Sequence, residues 1–148
     1  MKTKHTLRAT LAALTVFAAG LIATPSGAQA PNACHLLTKA EITDISGMRV
    51  DTVSDQGAAC IYVSKSPSAS IQVRTYGPET SQGAERMCAN GKPVSGVGDR
   101  ACISARGPAS TFMTSKGKLA LVVVMFSPQK PNSDETLKQI AQKALSRM

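Results

Sequence analysis

Apolar and polar positions change period along this chain, and the changes mark out its elements. Leu119-Ala120-Leu121-Val122-Val123-Val124-Met125-Phe126 is an unbroken apolar run between Lys118 and Ser127. It is short and β-branched at its centre, which predicts a strand buried on both faces in the middle of a small sheet. Ile71, Val73 and Thr75 alternate with Gln72, Arg74 and Tyr76, the pattern of a strand with one wet face. With Cys60 to Ser64 it predicts a hairpin across Lys65-Ser66-Pro67-Ser68. Arg100 to Ala105 and Ser110 to Ser115 read as two more strands, turned at Arg106-Gly107-Pro108, and Lys116-Gly117 leads into the central run. Met48 to Val53 alternates as an edge strand ahead of the turn Ser54-Asp55-Gln56-Gly57.

Three segments carry helical signals instead. Thr38-Lys39-Ala40-Glu41 is a capping box, so a short helix follows it with Leu37, Ile42 and Ile45 inward and Gly47 as its left-handed stop. Pro78 suits a helix start, and Glu79 to Ala89 is predicted helical with a thin apolar face of Ala84, Met87 and Cys88. Pro128 and Pro131 make a rigid connector, and Asn132 or Ser133 caps a last helix. There Leu137, Ile140, Ala141, Ala144, Leu145 and Met148 share one face. A helix of about fifteen residues runs about 22 Å, and a strand of about eight residues about 26 Å, so the helix is expected to lie along the central strand. The expected fold is α+β: an antiparallel sheet of about five to six strands, a long C-terminal helix on one face and short helices elsewhere.

The first residues read as an address rather than as fold. Lys2, Lys4 and Arg8 precede an apolar stretch from Leu11 to Ile22, and Ala28-Gln29-Ala30 is an A-x-A cleavage site, so residues 1–30 are expected to be a cleaved signal peptide. Cleavage leaves 118 of the 148 residues, 31–148, as a single exported domain. Fourteen of the 17 Lys and Arg then stand against nine Asp and Glu, a net charge of +5. All four cysteines survive. In an oxidising compartment Cys34, Cys60, Cys88 and Cys102 imply two disulfides, and sequence order favours Cys34–Cys60 and Cys88–Cys102 among three connectivities. Zinc is the weaker reading: there is no Cys-x-x-Cys, and His35 is the one histidine left after cleavage. No cofactor or metal is expected.

The same residues bear on chemistry. The basic residues are scattered, and Tyr62, Tyr76, Phe112 and Phe126 are the only aromatics of the exported part, so no nucleic-acid stripe or carbohydrate-stacking platform is expected. Val94-Ser95-Gly96-Val97-Gly98-Asp99 leads into a strand, not a helix, which makes it a turn rather than a phosphate loop. A serine-type hydrolase would have to use His35, and the nine acids select no pair for glycoside chemistry. The chain is therefore read as a non-enzyme, with the His35 hydrolase as the alternative and a structural envelope protein as a third.

The central run itself carries the binding expectation. Leu119, Leu121, Val123 and Met125 share one face; Ala120, Val122, Val124 and Phe126 share the other. The last helix covers only one. A groove beside Phe126, Phe112, Val122 and Val124, with Arg100 or Arg106 at its rim, is the expected site for an envelope protein or a small apolar ligand. A monomer is expected.

Cys34-His35-Leu36-Leu37-Thr38-x-x-Glu41, Cys60-Ile61-Tyr62 and Val97-Gly98-Asp99-x-Ala101 together resemble a group of small exported bacterial domains of unknown function. Those domains, often lipoproteins, begin Cys-x-Leu-Leu-Thr and carry a later Gly-x-Gly-Asp-x-Ala turn. More distantly the chain is similar to PknH-type extracytoplasmic sensor domains and PsbP-like folds. The resemblance implies an antiparallel sheet with helices packed on it and a Cys34–Cys60 pair, and it carries over no catalytic residue. Pro31-Asn32-Ala33 departs from a lipid-attachment context, so no stable membrane anchor is expected after cleavage.

Overall fold

The computed structural model describes residues 29–128 and 134–148. The leader through residue 28 and the expected cap at Asn132 or Ser133 lie outside the described residues. Ala33–His35 forms a 3-10 turn, and Thr38 opens α1 (Lys39–Ser46). The capping box forms as expected: the Thr38 hydroxyl accepts the Glu41 N–H at 3.2 Å, and the Glu41 carboxylate accepts the Thr38 N–H at 2.9 Å. Gly47 ends α1 at φ +67°.

Seven strands follow: β1 (Thr52–Asp55), β2 (Ala59–Lys65), β3 (Ser68–Tyr76), β4 (Lys92–Pro93), β5 (Arg100–Arg106), β6 (Ala109–Lys116) and β7 (Leu119–Phe126). They form one antiparallel sheet in the order β1-β2-β3-β7-β6-β5-β4. The apolar run is thus the fourth of seven strands, with two meanders meeting on it. The sheet exceeds the expected five to six strands because β4 is only two residues long, too short to leave a periodic signature. The edge strand also moves: Met48 to Asp51 approach the sheet as an irregular segment that buries Val50, and pairing with β2 begins at Thr52.

Between β3 and β4 the chain crosses the sheet through α2 (Ser81–Arg86) and a 3-10 turn at Met87–Asn90. The segment expected to be helical from Glu79 to Ala89 is α-helical only from Ser81 to Arg86. Gly83 weakens it, and Met87, expected on the apolar face, is 48% exposed. The last helix, α3 (Asp134–Leu145), has 12 residues rather than about fifteen, because Ser146 to Met148 unwind into a turn.

The core lies between the sheet and α1 plus α3. Leu137, Ile140, Ala141, Ala144 and Leu145 of α3 pack against Leu121, Val123 and Met125 of β7, joined by Tyr62, Ile71 and Phe112. Disulfides link Cys34 to Cys60 and Cys88 to Cys102, and no described helix is long and apolar enough to cross a membrane. Two disulfides fit an oxidising compartment.

Candidate functional site

On the sheet face away from α3, cover is partial. Ala84 of α2 packs on Met113, Ala120 and Val122, and the Cys88–Cys102 bond ties the following turn to β5. Glu85 reaches Arg100 at 3.6 Å across the same end. Beyond Val122 no helix of the described chain packs on this face. The ladder registers set the rows there: Val63, Ser70, Phe126, Ala109 and Arg106 lie side by side across five strands, and Ile61, Gln72, Val124 and Thr111 form the row beneath. Phe126 is 40% exposed, while Ile61, Val63 and Val124 are half-buried. A sheet packed on one side only keeps one face toward solvent, and here its central strand carries Phe126 and Val124 between Ser70 and Gln72 on one side and Ala109 and Thr111 on the other.

The structure divides the six residues expected to form the groove. Val124, Phe126 and Arg106 come together on the open half. Val122 shares their face but lies under α2, 1% exposed. Arg100 sits at the covered end, held by Glu85. Phe112 is a correction: it pairs with Val123 and projects to the α3 side, where it is fully buried. In β6 both Phe112 and Met113 are apolar and buried, so alternation could not tell which faced which layer. Ile61 and Val63 are the residues the sequence reading missed; the inward setting of Cys60 and Tyr62 was the signal that would have placed them outward.

Two clefts flank this face. One of about 310 Å³ runs along the Cys88–Cys102 bond between Glu85, Arg100 and Met113. The other, about 440 Å³, lies at the β5 edge and is lined by Arg86, Met87, Lys92, Ala105 and Arg106, with Asp134 on its wall. A third, about 390 Å³, is formed by Arg74, Tyr76 and Thr80 near Ala30.

Titratable chemistry concentrates on the other side of the molecule. Glu41 Oε2 accepts from Arg147 Nη1 at 2.9 Å, Oε1 from Nη2 at 2.5 Å, and Lys143 Nζ stands 3.5 Å from Oε1. Arg147 also donates to the Leu36 carbonyl at 2.6 Å. The Arg147 hydrogen bonds, then that of the Thr38 N–H, hold the Glu41 carboxyl well below the usual carboxylate range. Tyr62 donates to the Leu37 carbonyl at 2.6 Å, and burial, followed by the charges of Glu41 and Asp55, pushes its phenol up to about 12. Both groups are saturated by structural partners.

His35 is exposed at the end of the 3-10 turn, and among the described residues its imidazole has no carboxylate or hydroxyl partner. No group of three or more His, Cys, Asp or Glu among the described residues could hold a metal. Asp99 accepts the Gly117 N–H at 2.6 Å, and the Asp99 N–H donates to the Ser115 carbonyl. The glycine-rich turn thus locks onto the β6–β7 hairpin. Gly98, at φ +62°, lies so close to the Ser115 carbonyl and Thr114 Oγ1 that a Cβ would collide with both. Among known proteins, no family model matches this chain and no curated protein matches it as a relative.

Proposed function

We propose that this chain is an exported, non-catalytic binding module of the cell envelope, and that it holds a protein partner against the open half of its sheet. One observation carries the reading: Phe126 stands 40% exposed on the central strand of a seven-stranded sheet, with Val124 beside it on the same strand face, Ile61 and Val63 two strands away beyond Gln72 and Ser70, and Arg106 at the end of its row. An exposed aromatic residue among apolar and uncharged polar neighbours, with a cation at the rim, is the composition of a protein contact. A small apolar ligand fits less well, because such ligands are held in concave pockets and neither Phe126 nor Val124 lines any of the three clefts described. The hydrolase alternative draws no support from His35, which among the described residues has neither partner a triad needs. The A-x-A leader pattern and the two disulfides support export to the periplasm or beyond.

Photocrosslinking in the producing cell tests the reading. A benzoyl-phenylalanine placed at position 126 is expected to give one discrete protein adduct. The same group at Gln139, on the outer side of α3, is expected to give none. Equal adduct patterns from the two positions, or none from 126, would remove the proposal.

A further inference from the structure

We propose that the edge of β5 beyond β4 is a docking groove for an extended, acidic peptide segment. β4 pairs only Lys92 with Ile103 and Pro93 with Cys102, whereas β5 continues to Arg106. In an antiparallel ladder, successive residues turn their backbone groups to opposite neighbours. Across this edge the Val94 N–H donates to the Ala101 carbonyl, which sets Ala101, Ile103 and Ala105 as the residues whose backbone groups point away from β6. Ala101 and Ile103 are matched by the β4 segment; among the described residues, Ala105 has no strand opposite. Its N–H and C=O open into the 440 Å³ cleft that Ala105 helps to line.

The cleft's charge selects what can pair there. Arg86, Lys92 and Arg106 line it, and no ion pair or hydrogen bond to another described residue engages their side chains. Asp134 is the one carboxylate among the described lining residues. Met87, 48% exposed beside the cations, adds apolar surface. A sheet edge gives main-chain hydrogen bonds to an added strand, and its side-chain surroundings give specificity. Here the surroundings ask for carboxylates alternating with apolar side chains. The same cations repel the corresponding edge of a second copy, so they suppress self-pairing while admitting an acidic strand. This site lies at the sheet edge and shares only Arg106 with the Phe126 surface.

The test is an NMR titration of the isotope-labelled, disulfide-bonded protein with a peptide of about eight alternating Glu and Val residues. Its controls are the Lys–Val counterpart and inorganic phosphate. The Glu–Val peptide is expected to shift the amides of Ala105, Ser104, Lys92 and Met87 and to slow exchange of the Ala105 amide. Charge reversal at Lys92 and Arg106 together should weaken binding roughly tenfold or more. Ala105→Pro, which removes only an outward N–H at a position where an edge strand tolerates proline, should weaken it comparably with the remaining spectrum unchanged. Phe126→Ser should leave the titration as it is, which separates this site from the one proposed above. Phosphate reproducing the peptide's shifts, a Lys–Val peptide binding as well, or no shift at Ala105 would each overturn the inference.

Discussion

At Glu41 one carboxylate closes the capping box of α1 and also receives the Arg147 guanidinium from 106 positions further along the chain. Its folded pKa is depressed, so the stability it contributes is fully present above the usual carboxylate value of about 4.3 and is lost as pH falls toward the lowered one. Glu41→Gln should therefore flatten the acid limb of a plot of denaturation midpoint against pH below about pH 4, where the wild type declines. Tyr62 acts at the other end of the scale. Its raised pKa leaves stability constant up to the usual value of about 10, after which stability falls as pH rises toward about 12. Tyr62→Phe should remove that alkaline decline and cost about 1 kcal/mol at neutral pH, because the Leu37 carbonyl loses its donor. Urea unfolding at pH 7 and pH 11 checks both parts. The capping box could be read from Thr38-x-x-Glu41, since its partners are three residues apart. The Arg147 contact could not, because nothing local couples residues so distant in sequence.

Among the elements, α2 depends most on a covalent tie. Six residues containing Gly83 make a weak helix, and Ala84 is its one buried residue. The Cys88–Cys102 bond, spanning 14 positions, holds the segment over Met113 and Val122. Replacing both cysteines with serine should cost about 3 kcal/mol and uncover that end of the face. The readouts are chemical denaturation and a gain in apolar-dye fluorescence by a variant that keeps its sheet. The need for this tie was visible in the thin apolar pattern of Glu79 to Ala89. Where the helix would begin and end was not, because propensity there is too even to fix a boundary. The hairpins were more legible. Gly107-Pro108 and Ser66-Pro67 each join strands whose alternation already agreed with the pairing.

For the whole molecule, the two aromatic residues once expected to share a groove now make opposite predictions. Phe112→Ala should cost roughly 3–5 kcal/mol, the range for a fully buried ring, whereas Phe126→Ser should cost less than about 1 kcal/mol. Thermal or urea denaturation of the two variants measures this difference. The sequence by itself determined the central strand, the helix that covers one of its faces, the four cysteines and the turns other than the one expected at Ser54, where β1 runs on to Asp55. Each of these rests on local periodicity or on the conformational limits of single residues. Sequence order already favoured the cysteine pairing found; only the tertiary structure decided which layer Phe112 enters, how far α2 extends over the second face and that β5 outruns β4. Those outcomes depend on register and on contacts between distant segments. A run buried on both faces carries no alternation to announce them, so the open second face could be read from the sequence, but not which residues of it stay uncovered around Phe126.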